Sequence, residues 1–252
     1  MSATDRPYFE FCHVYKAFGE REILEDVSFE VNRGECVCVM GRSGVGKSVM
    51  LKLIMGFLRP DAGQILAGGL DVAALSESEL TEMHKKITMV FQSGALFDSL
   101  TVAENIAFPL RERDAMNEAA IESEVGRIMD MLDLTPERDI YPASLPTGLK
   151  RAVAIGRALA AKPEAILYDE PTTMVDPLMS HRIGNLIARV QQQTRLTGVV
   201  VTHDTHLARR LASRLVLLSE RRVSFFGTVA ELDASTDPTV RDFMRPDQMA
   251  AL

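Results

Sequence analysis

The chain has 252 residues, a formal net charge of −7, 46% hydrophobic residues and 25% charged residues. This composition is typical of a globular protein, and the length suits one large α/β domain or two small ones. Because binding along a nucleic-acid backbone needs a basic surface, the acidic balance argues against nucleic acid as a partner.

The N-terminal stretch, MSATDRPYFEF, has neither a basic region nor an apolar core, so we expect no secretory signal. No run of 18 apolar residues follows, and we expect no membrane-spanning helix. The three cysteines, Cys12, Cys36 and Cys38, lack the spacing of a disulfide framework, which fits a reducing compartment. We therefore expect a cytosolic protein in which Cys36 and Cys38 are buried small apolar residues.

Short apolar runs rich in β-branched residues recur along the chain. They are YFEFCHVY, DVSFEV, ECVCVM, ITMVF, AILYDE, GVVVTH, RLVLLS and RVSFFG. Helical patterns at 47–57, 153–161 and 181–193 alternate with the later runs, which predicts an α/β fold with a mainly parallel sheet covered on both faces. The first runs follow one another without helices, which predicts a small antiparallel sheet at the N-terminus.

Residues 93–159 favour one helix after another without a strand, and we expect them to form an inserted helical subdomain. The remaining core then covers about 1–92 and 160–230, and residues 231–252 form a short helical tail. We expect all of these parts to belong to one domain spanning 1–252.

The stretch GRSGVGKS follows the strand ECVCVM and opens a helical pattern. It fits the phosphate-loop pattern G-x-x-x-x-G-K-S/T in its strand–loop–helix context, which favours nucleotide binding over an ordinary glycine-rich turn. The expected phosphate-binding residues are Gly41, Arg42, Ser43, Gly44, Val45, Gly46, Lys47 and Ser48. Lys47 would bridge the terminal phosphates, and the Ser48 hydroxyl would be a ligand of Mg²⁺.

Two later strands end in residues that suit the chemistry of a nucleotide. Asp169 and Glu170 end the strand in AILYDE, where open α/β sheets place ligands, although acids there also cap helices. Asp169 would hold Mg²⁺ and Glu170 would act as general base on an attacking water. His203 ends the strand in GVVVTHD. A lone histidine at a strand end is usually structural, but its place downstream of Asp169 and Glu170 at the same edge of the sheet favours a catalytic role.

Together these motifs resemble the nucleotide-binding domain of ABC transporters over nearly the whole chain. The resemblance implies a P-loop NTPase (RecA-like) core, ATP with Mg²⁺, and a dimer that encloses two ATP molecules. It assigns adenine stacking to Phe18, which is otherwise an apolar residue at a strand edge. It makes Gln92 a ligand of Mg²⁺ that links this ion and the attacking water to the helical subdomain, and it makes Asp176 a residue that communicates across the dimer.

The stretch LPTGLKR lies where the family signature, typically L-S-G-G-Q, belongs. In this resemblance the helix start faces the γ-phosphate of the ATP held by the other subunit, and Thr147 and Gly148 would contact it. Lys150 and Arg151 place positive charge in the first turn, where the helix dipole favours anions, so we interpret this turn as meeting negative charge. Pro146 replaces the usual serine and has neither a hydroxyl nor an N–H.

Two interpretations of this departure remain open. Either the Thr147 hydroxyl substitutes for the missing serine and the chain is an active ATPase, or hydrolysis is weak and the chain is a nucleotide-binding regulatory subunit. The first is our prediction, because Lys47, Asp169, Glu170 and His203 are all present.

Within the family, FQSGALFDSLTVAENIAFPLRE and the tail TDPTVRDFM look most like the ATPases of bacterial Mla/MCE-type phospholipid transporters. That resemblance implies a transmembrane permease, a periplasmic MCE lipid-binding protein, in some systems a STAS-domain protein, and a place on the cytoplasmic face of the inner membrane. Residues 93–110 would receive the permease, although their apolar residues Ala95, Leu96, Phe97 and Leu100 also suit a subdomain core. An ATPase of another ABC importer or exporter is the alternative.

Overall fold

The structure is a computed structural model that describes residues 6–113 and 116–244. The chain divides into two compact units. We call residues 1–80 with 199–252 the terminal unit, and residues 81–198 the central unit.

Strands and helices alternate along most of the described chain. The strands are β1 Phe9–Phe18, β2 Arg21–Val31, β3 Cys36–Met40, β4 Ala62–Ala67, β5 Leu70–Asp71, β6 Ile87–Val90, β7 Ala165–Asp169, β8 Thr197–Thr202, β9 Arg214–Ser219 and β10 Arg222–Gly227. The helices are α1 Lys47–Ile54, α2 Glu77–Lys86, α3 Val102–Glu112, α4 Glu118–Met131, α5 Thr147–Ala160, α6 Pro177–Thr194, α7 Thr205–Leu211, α8 Val229–Ala234 and α9 Pro238–Met244.

The terminal unit contains the antiparallel sheet that the N-terminal runs predict. Its strand order is β2-β1-β4-β5, and β1 pairs antiparallel with both β2 and β4. Phe11 and Phe29 lie opposite each other across β1 and β2, and their rings stack with centroids 4.5 Å apart. This cross-strand aromatic pair is the kind of contact that stabilises a sheet with one buried face.

A second sheet in the terminal unit carries the strand before the phosphate loop. β3 runs parallel to β9, with Cys38 opposite Leu215, and β9 pairs antiparallel with β10. Every residue of β3 is buried, which explains why its sequence is apolar without alternation. Cys36 and Cys38 are free and buried, as expected, and a hydrogen bond between the two side chains together with burial raises the pKa of the Cys38 thiol.

The central unit combines a parallel strand pair with a set of packed helices. β6 and β7 run parallel, with Val90 opposite Tyr168 near their carboxyl ends. Helix α5 packs against α3, α4 and α6, and most of its residues are buried. Between 93 and 159 the described residues form helices and short 3-10 turns without a strand.

Several elements were not predicted from the sequence, namely β4, β5, α2 and α7. The run AGQILA in β4 contains glycine and alanine, which favour strands weakly, and its place follows from pairing with β1. The described part of the predicted tail forms α8 and α9, and residues 245–252 lie outside it. Among the described residues, no helix has the length and apolar character needed to cross a bilayer.

Candidate nucleotide-binding site

The phosphate loop occupies the turn between β3 and α1 in the terminal unit. Gly46 is the N-cap of α1, and its φ of 113° lies in a region that residues with a side chain avoid. A Cβ atom at this position would also lie 2.9 Å from the Cγ2 atom of Ile23. Glycine is therefore required here for the backbone to turn inward ahead of the helix.

Lys47 is buried at the first position of α1, although lysine is rarely buried in proteins. Its Nζ atom donates hydrogen bonds to the carbonyl oxygens of Gly41, at 2.9 Å, and of Arg42, at 3.1 Å. The ammonium group is thus folded back over the loop, next to a helix start whose N–H groups suit an anion. Ser48 follows in the first turn and is half-buried. This arrangement fits a bound polyphosphate.

Phe18 and His203 are the other candidate residues of the terminal unit. Phe18 ends β1 with 48% of its surface exposed, and Lys16 Nζ lies 5.5 Å from the ring centroid. An exposed aromatic ring at a strand end is available for stacking on a planar base. His203 is exposed directly after β8, and the next residue, Asp204, caps α7 through the N–H groups of His206 and Leu207.

The central unit brings Asp169, Glu170 and Gln92 to one edge of its parallel strand pair. Asp169 is the last residue of β7, Glu170 follows it, and Gln92 comes two residues after the end of β6. Both acids are buried, whereas Gln92 is exposed. Carboxylate and amide oxygens are the hard ligands that Mg²⁺ takes, so Gln92 and Asp169 fit that ion.

Glu170 is held in a strained backbone conformation. Its φ of 47° is left-handed for a residue with a side chain, which costs on the order of 1–3 kcal/mol. Thr173 supports it twice, because its hydroxyl donates to Glu170 Oε2 at 3.0 Å and its N–H donates to the Glu170 carbonyl at 3.2 Å. Such strain, paid for by local hydrogen bonds, is typical of functional sites.

Asp176 is exposed and has a structural role in addition to the one that the resemblance implies. Its carboxylate accepts a hydrogen bond from the N–H of Met179, at 3.0 Å, and so caps α6. On either side of it, Met174 and Leu178 are 85% and 78% exposed. Two large apolar side chains near Asp176 in the sequence are therefore exposed to water.

The signature segment begins α5. Pro146 is the N-cap, Thr147 is exposed as the first helical residue, and Gly148 is buried. No side chain of this segment caps the helix. A Cβ atom on Gly148 would lie 2.1 Å from Met179 Cε and 3.2 Å from Met179 Cβ, so α6 covers this glycine closely.

The basic first turn of α5 is not used as the sequence suggested. Lys150 is half-buried, but Arg151 is only 4% exposed. The Arg151 guanidinium donates to the carbonyl oxygens of Phe91, at 3.1 Å, and of Thr173, at 3.5 Å. The interpretation that this charge lies on the surface to meet an anion is therefore wrong for Arg151.

A buried asparagine, which was also not predicted, organises the segment that follows Gln92. Asn105 in α3 is fully buried, and its Oδ1 accepts from the Phe97 N–H at 2.9 Å. Its Nδ2 donates to the carbonyls of Phe97, Leu100 and Thr101 at 2.9–3.0 Å. A polar residue beside the buried Val102 and Ile106 in a helix was the signal that could have identified it.

The apolar residues of this segment lie at the surface rather than in a core. Ala95 and Phe97 are exposed, and Leu96 and Leu100 are half-buried. Phe97 still has local contacts, because its ring lies 4.6 Å from the ring of Phe108 and 5.3 Å from the guanidinium of Arg157. The expectation of a subdomain core thus holds only in part, and the permease contact stays a prediction.

Known proteins are similar to this chain along most of its length. A family model described as ABC transporter matches residues 24–173, more than half of the chain. The chain is 36% identical over 227 residues to the "Intermembrane phospholipid transport system ATP-binding protein MlaF" of Haemophilus influenzae, covering 90% of this chain and 86% of that protein. It is 35% identical over 229 residues to the "Probable ribonucleotide transport ATP-binding protein mkl" of Mycobacterium leprae, covering 91% and 66% of the two chains.

Among solved structures, the fold matches the dimeric ATP-binding cassette MJ0796 in a post-hydrolysis state bound to ADP and Pi. The TM-score is 0.78 at 32% identity, and the match covers 88% of this chain and 98% of that chain. The predicted resemblance and the predicted fold class, an α/β P-loop NTPase with an N-terminal antiparallel sheet, are confirmed.

Proposed function

This chain belongs to the ABC transporter family of Mg²⁺-dependent ATPases, and we propose that it is the ATP-hydrolysing subunit of a phospholipid transporter. The observation that carries the proposal is the match to a phospholipid-transport ATP-binding protein along 90% of this chain and 86% of its relative. A match of that extent includes the loop after Gln92, the segment on which the likeness to Mla/MCE-type ATPases rests.

In this proposal, the phosphate loop and Lys47 bind the phosphates of ATP while Phe18 stacks on its adenine. Ser48, Gln92 and Asp169 would hold Mg²⁺, which would supply positive charge against the phosphates. Glu170 accepts a proton from the attacking water, in a carboxylate position that Thr173 fixes at 3.0 Å.

His203 contacts the terminal phosphate and completes the catalytic residues that the ABC resemblance assigns. The Lys47 ammonium takes up negative charge that develops on the phosphates during hydrolysis.

The proposed working form is a dimer with a second ABC ATPase subunit, most simply a second copy of this chain. Thr147 and the N–H of Gly148 then face the γ-phosphate held by the other subunit, and Asp176 lies near the same seam. The exposed Met174 and Leu178 support this arrangement, since dimerisation would remove their apolar surface from water.

The proposed partners in the membrane are a transmembrane permease and, on its far side, a periplasmic MCE lipid-binding protein. The permease would dock on the segment that follows Gln92. The exposed Phe97 of this segment offers an apolar contact, and Asn105 holds the backbone of the segment in place through hydrogen bonds. Docking would place the chain on the cytoplasmic face of the inner membrane. A STAS-domain protein is a further proposed partner on the same face.

One alternative cargo has an observation in its favour. The relative from Mycobacterium leprae is named as a probable ribonucleotide transport ATP-binding protein, and its identity to this chain is close to that of the phospholipid transport protein. Another ABC transporter with a different cargo is thus the second candidate. A regulatory subunit with weak hydrolysis is the third, because Pro146 stands in the signature.

Two measurements test these candidates. The chain, tagged and purified in detergent from its native membrane, should bring with it a permease and an MCE protein, and mass spectrometry should identify a bound phospholipid. A different bound solute, or a permease without an MCE protein, would contradict the lipid assignment.

Phosphate release then decides between an enzyme and a regulatory subunit. Replacing Glu170 with Gln should lower kcat by about 100-fold or more, as expected for a lost general base, while ATP binding persists. Glu164→Gln is the matched control, because Glu164 precedes the same strand and pairs at the surface with Lys86. Turnover that is equally low in the wild type and in Glu170→Gln would favour the regulatory subunit.

A further inference from the structure

Arg151 lies where three functional segments of the central unit meet. It sits in the first turn of α5, close behind Thr147 and Gly148, and is 4% exposed. Four and seven residues later, Ile155 and Ala158 are also buried, so the arginine belongs to the inward face of the helix. A fully charged side chain on that face needs a reason, since arginine is almost never buried unless its N–H groups are paired.

The guanidinium is paired with main-chain carbonyl oxygens of two other segments. Nη1 donates to Phe91, whose carbonyl directly precedes Gln92, at 3.1 Å, and Nη2 donates to Thr173 at 3.5 Å. Burial lowers the pKa of Arg151, and the nearby carboxylate of Asp169 opposes that shift. The planar fork of arginine suits two acceptors on different segments in a way that the single ammonium of lysine does not.

The residue with the second carbonyl, Thr173, also contacts the proposed general base, Glu170. Thr173 accepts from Arg151 and in turn donates its hydroxyl to Glu170 Oε2 at 3.0 Å. One guanidinium therefore connects the start of α5 to Gln92 on one side and to Glu170 on the other. Because Arg151 bonds both segments, a shift of α5 would be passed to both.

We propose that Arg151 is a positioning residue that makes the alignment of Gln92 and Glu170 for hydrolysis depend on the placement of the signature helix. Arg151 touches neither ATP nor the attacking water in this role. The inference rests on the functions proposed above for Gln92 and Glu170.

The test compares the full-length Arg151→Lys variant with the wild type. Lysine keeps the charge but offers one nitrogen in place of the two that bond Phe91 and Thr173, so kcat should fall at least tenfold. The dissociation constant of a fluorescent ATP analogue should change less than threefold. Amide hydrogen exchange at 92–96 and 171–175 should also become faster.

Arg189→Lys is the matched control. Arg189 lies in the same unit and donates to the carbonyl of Met131 at 2.8 Å and to the carboxylate of Asp133 at 3.2 Å, away from Gln92 and Glu170. The Arg189→Lys variant should lose a comparable hydrogen bond and keep kcat within twofold of the wild type. An Arg151→Lys variant whose kcat matches that of Arg189→Lys overturns the proposal, as does a loss of ATP affinity equal to the loss in kcat.

A second pair of variants decides the matter if Arg151→Lys does not fold. Thr173→Val removes the hydroxyl bond to Glu170 and should lower kcat at least fivefold, whereas Thr173→Ser keeps the bond and should retain kcat. Equal rates for the two variants would overturn the proposal. Failure of the proposed function is a separate result, since it would appear as an unchanged kcat in Glu170→Gln.

Discussion

The starts of α1 and α5 differ from those of other helices in the molecule in the same way. Within the described residues, α3, α4, α6, α7 and α8 each begin with a side chain that accepts a hydrogen bond from the first turn. The caps are Thr101, Asn117, Asp176, Asp204 and Thr228. Helices α1 and α5 instead begin at Gly46 and Pro146 without such a cap. These are the two helix starts that the proposed function assigns to ATP phosphates, and a helix N-terminus favours an anion.

The two starts nevertheless prepare for an anion by different means. At α1 the chain itself forms the concave site for an anion, because the glycine-rich loop turns back and the ammonium of Lys47 lies over it. At α5 the loop is replaced by a proline, and the buried Arg151 points inward rather than to the surface. We infer that α1 binds phosphate by itself, whereas α5 depends on what a second subunit brings to it.

The largest expected effect comes from exchanging the lysine at each start for alanine. Lys47→Ala removes the charge-assisted hydrogen bonds that the ammonium would donate to the phosphates of ATP, each worth about 1.5–3 kcal/mol. The loss of two such bonds corresponds to at least about a 100-fold loss in kcat/KM. Lys150→Ala should cost about fivefold at most, since the attraction between partly exposed opposite charges is worth about 0–1 kcal/mol. Steady-state phosphate release and ATP binding measure both variants.

Circular dichroism controls for folding of the Lys47 variant, because its ammonium also bonds two loop carbonyls. Equal losses of kcat/KM in Lys47→Ala and Lys150→Ala would mean that the two helix starts use positive charge in the same way. That result would contradict the difference drawn between the starts of α1 and α5.

The next effect concerns the hydroxyl that replaces the missing signature serine. Thr147→Ala should lower kcat by about 10- to 100-fold, because one charge-assisted hydrogen bond in the transition state is worth about 1.5–3 kcal/mol. Leu149→Ala, two residues further along the same helix, should change kcat little. Phosphate release at saturating ATP measures both, and small equal effects would remove the substitute-hydroxyl hypothesis.

A smaller effect, on stability, tests how closely α6 covers the start of α5. Gly148→Ala would push a methyl group against Met179, and such overpacking costs about 1–3 kcal/mol. The double variant Gly148→Ala with Met179→Ala should recover much of that loss, because the obstructing side chain is gone. Urea unfolding of the single and double variants measures the coupling, and strictly additive losses would show that the contact is unimportant.

Much of this architecture is visible in the sequence because its signals are local. The apolar runs that became β3, β7 and β8 carry their own strand pattern, and GRSGVGKS carries its own turn. β4 was missed because its reason to be a strand lies in β1, about fifty residues earlier, and not in its own weak propensity.

The same limit applies within the site, where the charge of a side chain was easier to predict than the direction in which the side chain points. Lys150 and Arg151 read alike as a basic first turn, yet consecutive helical residues point about 100° apart, so they face different surroundings. The spacing of Arg151 to the apolar Ile155 and Ala158 was the available sign that it points inward. No sequence pattern, however, indicates that its acceptors are the carbonyls of Phe91 and Thr173.

The smallest expected effect sharpens the contrast from the side of α1. Arg42 of the phosphate loop pairs with Asp242 of α9 at 3.3 Å, and both side chains are mostly exposed. An exposed pair of this kind is worth about 0–1 kcal/mol and weakens with salt. Asp242→Asn should therefore strengthen ATP binding less than about threefold at low ionic strength and not at all in high salt, because Arg42 is released toward the phosphates.

Asp233→Asn is the control for that change, since Asp233 pairs with Arg209 in the same unit and away from the loop. Titration of both variants with a fluorescent ATP analogue at two salt concentrations separates a local effect from a change in net charge. If the two variants bind ATP equally, Arg42 contributes no electrostatic attraction of its own. Phosphate binding at the start of α1 would then depend on Lys47 and the backbone of the loop alone. The start of α1 would differ from the start of α5 in the geometry of its loop more than in its charge.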